Sequence, residues 1–378
     1  MTSERQEVFR PGQVVIYRSQ CEGDSCPDHS WATLQHIAAR LAVLKQYEFA
    51  GEYDPAQQYD DLYFVPAETL LHATAQKLGI RDENSLFGGC VHAPFAGTKS
   101  ITHPLINAAA TAPAGWSHAF PDAVAPAVLP GFSVFSRADA RIACNRLLPQ
   151  NTIRLKPALA MGGSGQIVIE SPSDLEAVLT TIDSEILACY GLVLEQNLEQ
   201  VATYSVGRAQ VAGNRISYHG TQRLTSNHQG ESVYGGSSLY IVRGDYDALS
   251  QLTQQPHLLI AIDQARHYDA AAESLLGVMA SRRNYDIAQG VDNHGQDRSG
   301  VLEQSWRIGG ASPAEIIALE AFAADATLQS ICVSTHEVYG SDDPPRHATV
   351  HFQGIDSQLG ALQKYCTIDA HEYSTTET

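Results

Sequence analysis

The segment Arg282 to Ser312, RRNYDIAQGVDNHGQDRSGVLEQSWRIGGAS, constrains this 378-residue chain most, because it reads as two alternating strands joined by a Gly- and Asn-rich loop. Side chains in a strand alternate faces, so Arg282, Asn284 and Asp286 point one way, and Glu303, Ser305 and Arg307 also share a face. With the loop centred near His294 and Gly295, Asp286 falls opposite Glu303. Two carboxylates and the Ser305 hydroxyl at that spacing are hard oxygen ligands suited to Mg²⁺, which keeps several waters and takes the rest of its shell from nucleotide phosphates. On the hairpin alone, polar residues on a solvated sheet face remain an equal alternative.

Two upstream segments point the same way. Thr152 to Glu170, TIRLKPALAMGGSGQIVIE, reads strand, Gly-rich loop, strand, with Lys156 at the end of the first strand. Gly162, Gly163, Ser164 and Gly165 would let backbone N–H groups approach an anion, although no GK[ST] follows and a plain hairpin connection is the alternative. The chain has five lysines, Lys45, Lys77, Lys99, Lys156 and Lys364, against nineteen arginines, so a lysine beside such a loop suits a point-charge partner for phosphate. Further on, the apolar run Leu192 to Leu194 ends at Glu195. Backbone groups of Gln196 and Asn197 could then meet a purine edge while Leu198 packs on its face; an exposed strand end with a core leucine is the bland alternative.

The same order, Lys99 in GTKSITHP, Lys156 in LKP, the GGSG loop, LVLEQNL and the DIAQ…LEQSWRIGG hairpin, resembles the ATP-grasp superfamily over roughly residues 90 to 320. The whole chain also resembles a bacterial family of uncharacterised ATP-grasp-like proteins. The resemblance implies an α/β (α+β) fold: a Rossmann-like pre-ATP-grasp domain over 1–105, an N-terminal ATP-grasp part over 106–198 with a lid at about 150–198, and a C-terminal antiparallel part over 199–378. It implies ATP and Mg²⁺ as cofactors, with Lys99 and Lys156 on the phosphates, the loop Gly162 to Gly165 over them, and Glu195 to Leu198 around adenine. Asp286, Glu303 and Ser305 would hold the metal, and Arg307, with Arg282, would stabilise the developing charge. Ser305 stands where the family commonly has Asn, and Thr203 where many members have a ribose-binding Glu.

The implied activity is an ADP-forming ligation of a small-molecule carboxylate to an amine or thiol. An ATP-binding module without ligase chemistry and a kinase-type phosphoryl transferase are the rivals. Gln222, Arg223, Tyr234 and a turn at Gly235 and Gly236, in a polar loop between two strands, are the candidates for substrate choice, with a solvated hairpin the alternative.

Composition sets the remaining expectations. A net charge of −18 and a pI near 5.2 argue against a nucleic-acid partner, and 44% hydrophobic residues support packed cores. The absence of a long uncharged apolar run, and of an apolar leader in MTSERQEVFRPG, leads us to expect a cytoplasmic protein with no membrane partner; a homodimer is left open. Seven scattered cysteines fit reduced thiols; Cys21 and Cys26 with His29 lack a second pair for zinc, and Cys90 reads as a small buried residue. Strands are expected at GQVVIYRS and DLYFVP, helices at SWATLQHIAARLAVLKQYEF, ETLLHATAQKLG, SRADARIACNRLL, SPSDLEAVLTTI and about Ile260 to Leu276. Thr111 to Pro130 reads as a connecting loop, and the tail after Gly340 as an outer strand with a frayed end.

Overall fold

The computed structural model describes residues 11–19, 27–159, 165–340 and 342–373. The chain begins with β1 (Gln13–Tyr17), α1 (Asp28–Lys45), β2 (Glu48–Glu52) and β3 (Leu62–Pro66), which give a parallel sheet in the order β2-β1-β3. Leu34, Ile37, Ala38, Leu41 and Ala42 recur at helical spacing and bury one face of α1. Pro27 begins this helix without a side-chain cap, and Gln46 ends it in the left-handed region. The segment expected as one helix from Glu68 starts as β4 (Leu70–Leu71) before α2 (His72–Lys77), and β5 (Gly89–Val91) pairs with β4.

Thr111 to Pro130 is not merely a connection. It contains α3 (Ala119–Val124), whose Phe120, Pro121 and Val124 are buried. The Ala- and Pro-rich composition that suggested a loop instead supplies small surfaces for close packing. Next come β6 (Gly131–Val134), α4 (Arg137–Leu147), β7 (Ile153–Pro157), β8 (Ile167–Ile169), α5 (Pro172–Thr181), α6 (Ser184–Tyr190) and β9 (Leu192–Gln196), around an antiparallel sheet ordered β6-β9-β7-β8. Ser136 caps α4 by accepting from the Asp139 amide, and Ser171 with Asp174 forms a reciprocal capping box on α5.

The remainder is β10 (Glu199–Val211), β11 (Asn214–Ser226), β12 (Ser232–Arg243), α7 (Tyr246–Leu252), α8 (Pro256–Leu276), β13 (Met279–Ala280), β14 (Arg282–Val291), β15 (Asp297–Ser305), α9 (Ser312–Ala324), β16 (Leu328–Tyr339), β17 (Thr349–Asp356) and β18 (Gly360–Tyr373). Among the described residues, eight of these strands form one sheet, ordered β15-β14-β10-β11-β12-β16-β18-β17. The tail supplies the expected outer strand, β17, at the sheet edge, and also a strand that was not expected: β18 lies between β16 and β17, hydrogen-bonded on both sides, while the expected frayed end at 374–378 lies outside the described residues.

Strand alternation divides this sheet between two cores. Leu239 and Ile241 join a cluster with α9 and with Val14, Ile37 and Leu41 of the N-terminal unit. Val242, Tyr285 and Ile287 join a second cluster with Ile262, Ala265 and Tyr268 of α8. Because Tyr285 and Ile287 face α8, Asn284 and Asp286, which alternate with them along β14, face the other way, toward α9 and the N-terminal unit. β13 pairs with β5, which ties that unit to the large sheet. No described helix is long and apolar enough to cross a membrane.

Candidate active site

The hairpin of β14 and β15 is closed by a turn in which Asp292 accepts from the amides of His294 and Gln296, with Gly295 at φ +72°. This closure sets the register, and Asp286 pairs with Glu303 while Asn284 pairs with Ser305. The ladder shifts by one residue between Asp286 and Ile287, so Leu302 is the extra residue of a bulge. Its carbonyl is thereby available to accept from Lys156 Nζ at 3.2 Å.

Asp286 is held by donors from three strands. Ser205 Oγ of β10 and Asn284 Nδ2 each donate to Asp286 Oδ1 at 3.0 Å, and Gln222 of β11 bonds the same carboxylate. Burial, and then the facing Glu303, raise the Asp286 carboxyl above the usual carboxylate range. Gln222, expected in a substrate loop, thus belongs to the support of the carboxylate pair. Glu303 is met by Lys99, whose Nζ lies 2.5 Å from Oε2 and which is buried at the start of a short 3₁₀ turn, Lys99–Ile101. Gln304 Nε2 donates to the Thr98 carbonyl at 2.6 Å and fixes this turn against β15.

Among the described residues no group of three or more His, Cys, Asp and Glu side chains could hold a metal ion. The donor set of two facing carboxylates and a hydroxyl therefore does not suit an all-protein cage. It does suit Mg²⁺, which is usually bound through one or two carboxylates and completed by water and phosphate oxygens. A dication would also relieve the repulsion that raises Asp286.

Lys156, at the end of β7, is buried and ion-paired with Glu195, whose Oε2 lies 3.0 Å from His103 Nε2. Burial alone would raise the Glu195 carboxyl, yet Lys156 and His103 hold it below the usual range. His103 went unrecognised in the sequence although it stands in the segment quoted for Lys99. Gly162, Gly163 and Ser164 lie outside the described residues, as do Cys21 and Cys26; Gly165 is exposed with φ +66°. Where the sequence led us to expect adenine, Gln196 Nε2 donates to Asn151 Oδ1 at 2.9 Å, Arg154 Nη2 donates to Asn197 Oδ1 at 2.6 Å, and buried Leu198 packs with Leu129 and Ala288.

Arg282 is not at the reacting centre. It is buried, and pairs with Glu315 of α9, itself fully buried, at 3.0 Å. Burial opposes its charge, but Glu315 more than offsets this and raises its pKa. Its Nη1 donates to the carbonyls of Ser305 at 3.1 Å and Arg307 at 2.7 Å, so Arg282 shapes the strand end that presents Arg307.

Lys99, Glu303, Ser305 and Arg307 line one cleft of about 800 Å³. The expected polar loop for substrate choice takes another form. The β11–β12 turn falls at residues 227–231, and Gly235 is the extra residue of a bulge inside β12. Gly236 has φ +127°, and a Cβ there would lie 2.0 Å from the Thr335 carbonyl oxygen, so the close strand crossing requires glycine. Arg223 is turned to this neighbour, donating to the Thr335 carbonyl at 2.6 Å and lying 3.3 Å from His336 Nδ1. Tyr234, its hydroxyl 2.7 Å from Ser237 Oγ and pushed up to about 12 by burial, backs Gly310, where a Cβ would come within 2.5 Å of the tyrosine oxygen. Arg223 and Tyr234 therefore support the cleft wall. The far wall was not recognised in the sequence: His336 and Glu337 of β16, His351 of β17 and Lys364 of β18, facing Ser30 and Thr33 of α1.

Cys90, beside this region, is buried and its thiol is pushed up to about 12, as a small core residue.

A family model described as a protein of unknown function, DUF3182, matches residues 16–366. No curated protein matches the chain. Solved structures do. N5-carboxyaminoimidazole synthetase from Staphylococcus aureus, complexed with ADP, aligns with TM-score 0.54 and 10% identity, covering 96% of this chain and 94% of that one. The biotin carboxylase domain dimer of Hydrogenobacter thermophilus 2-oxoglutarate carboxylase, in complex with MgADP, ADP and bicarbonate, aligns with TM-score 0.52 and 10% identity over 97% and 91%. Phosphoribosylamine–glycine ligase from Thermotoga maritima aligns with TM-score 0.50 and 11% identity over 94% and 92%. These are ATP-grasp enzymes, and the fold of this chain is the ATP-grasp fold.

Proposed function

The chain belongs to the DUF3182 family, and from its ATP-grasp fold we propose a Mg²⁺-dependent ligase that joins a carboxylate substrate to an amine, or a thiol, with release of ADP and phosphate. The observation that carries this reading is the pairing of Asp286 with Glu303 across the hairpin, where Glu303 lines a cleft together with Lys99, Ser305 and Arg307. Asp286 and Glu303, with the Ser305 hydroxyl, would hold Mg²⁺, which when bound lowers the charge on the nucleotide phosphates.

A substrate carboxylate oxygen attacks the γ-phosphorus, the bond from that phosphorus to the β–γ bridging oxygen breaks, and ADP leaves. The amine nitrogen then attacks the acyl carbon, the bond to the phosphate oxygen breaks, and the amine gives up a proton. Lys99 and Lys156 bring positive charge to the phosphates, and Glu195 with His103 fixes the Lys156 ammonium. Arg307 meets the transferred group where negative charge develops, its backbone fixed by Arg282.

Hydroxylamine tests the reading. With ATP, Mg²⁺ and a panel of carboxylic acids, the full chain should form ADP and a hydroxamate without the natural acceptor, and Arg307→Ala should depress turnover at least a hundredfold with little change in ATP affinity. AMP release, or undiminished turnover in Arg307→Ala, contradicts it. A second reading, nucleotide binding without ligation, draws on Ser305 in place of the family's Asn; it expects ATP binding with no substrate-dependent ADP under the same conditions.

A further inference from the structure

We propose that the far wall of the cleft, built by Glu337 and Lys364 with His351 and α1, is the recognition site for an α-amino acid zwitterion used as a substrate. This rests on the ligase reading and specifies which substrate class that cleft accepts. The cleft of about 800 Å³ is large for ligand pockets, which span roughly 300–1,000 Å³. Gln196, Asn197 and Leu198 do not line it, so its volume lies on the side of Lys99 and Glu303 away from the presumed adenine position. The part of that volume beyond Arg307, against β16, β17, β18 and α1, is left for a second substrate.

The far wall is charged and balanced. Glu337 and Lys364 are register partners on β16 and β18, and Lys364 Nζ lies 2.8 Å from Glu337 Oε1, with side chains 12% and 17% exposed. A ligand with only a carboxylate would take Lys364 and strand Glu337 in a half-buried site, and a ligand with only an amine would strand Lys364. Either exchange leaves one desolvated charge uncompensated. An ammonium and a carboxylate on neighbouring atoms of one ligand replace the pair with two new pairs at unchanged net charge.

Two further groups fit that ligand. Glu68, on the same cleft from the β3–β4 connection, has no hydrogen-bond or ion-pair partner among the described residues and offers the ammonium of such a ligand a second acceptor. His351 Nδ1 is buried without a hydrogen-bond partner, and burial first, then Lys364, His36 and Arg40, lower its pKa to about 3, leaving a neutral ring to hydrogen-bond a polar ligand. The wall is rigidly backed: His336 stacks on Tyr365 with centroids 4.6 Å apart, and its Nε2 lies 3.1 Å from Thr367 Oγ1. His29 is fixed by Asp356 at 2.8 Å.

The test uses the full chain saturated with Mg²⁺ and the non-hydrolysable analogue AMP-PCP, titrated calorimetrically with the twenty L-amino acids and D-alanine, then with the N-acetyl and carboxamide forms of any that bind. At least one zwitterion should bind, both blocked forms should bind at least tenfold more weakly, and Lys364→Met and Glu337→Gln should each weaken it at least tenfold. The melting shift given by Mg·AMP-PCP reports in the same samples whether each variant is folded and whether the nucleotide site exists. If the nucleotide shift is present but no zwitterion binds, or a blocked form binds equally well, or neither substitution matters, the inference is overturned while the ligase reading stands. Loss of the nucleotide shift in the unmodified chain overturns the ligase reading itself.

Discussion

Ionised Asp286 is disfavoured twice, by burial and by the facing Glu303. Its folded pKa is raised, so its contribution to stability is fully present below the usual value of 3.8 and is lost as pH rises through the raised pKa. At neutral pH Asp286 therefore contributes less to stability than in acid, as a site poised for a cation does. Asp286→Asn should raise stability at pH 7 by about 1 kcal/mol, roughly 2 °C in melting temperature, while removing metal-dependent nucleotide binding. A fall in melting temperature would show that the facing carboxylates are not in conflict. Glu303→Gln should fold and lose metal-dependent activity by orders of magnitude. The Asp286–Glu303 register was legible because Asp292 and Gly295 fix the turn locally. The ion pairs Lys99–Glu303 and Lys364–Glu337 were not, since each joins segments far apart in sequence. The need for glycine at Gly236 was hidden by the same fact: the strand that excludes a side chain there is Thr335's.

Among the elements, α9 decides how β14 and β15 present their ends. SPAEIIALEAFAA is apolar nearly all round, which marks a buried helix, yet it carries Glu315 at no exposure. Such a carboxylate requires Arg282, and Tyr218 adds a hydroxyl at 2.6 Å. Glu315→Gln should cost roughly 3–5 kcal/mol in urea unfolding by leaving a buried guanidinium uncompensated, whereas Arg282→Met with Glu315→Leu should cost much less. Equal losses would argue against charge as the cause. At the contact of α1 with β17, burial and Arg40 lower His36 to about 4, and burial, Lys364, His36 and Arg40 lower His351 to about 3. Both are depressed below 6.5, so their contribution is present above that value and lost as pH falls toward 4. Melting temperature should drop between pH 7 and pH 4, and less steeply in the His36→Gln, His351→Gln variant; an unchanged slope would exclude these rings. The capped helices α4 and α5 were readable because their signals are local. The inner strand β18 was not, because the acidic, Ser/Thr-rich end masks a strand whose order comes from pairing on both sides.

At the scale of the whole molecule, an acidic chain of net charge −18 gathers Lys99, Lys156 and Arg307 around the region where an anionic nucleotide is proposed to enter. The large sheet carries the paired carboxylates, the N-terminal unit supplies α1 and Glu68, and the smaller antiparallel sheet carries Lys156, so the proposed chemistry needs all three together. The most direct measurement is calorimetric titration of Mg·AMP-PCP into the full chain and into Glu303→Gln, each with Mg²⁺ and with EDTA. Saturable one-to-one binding that weakens at least tenfold in EDTA and in the variant is the expected result; no saturable binding, or equal affinity in all four titrations, would contradict the assigned site.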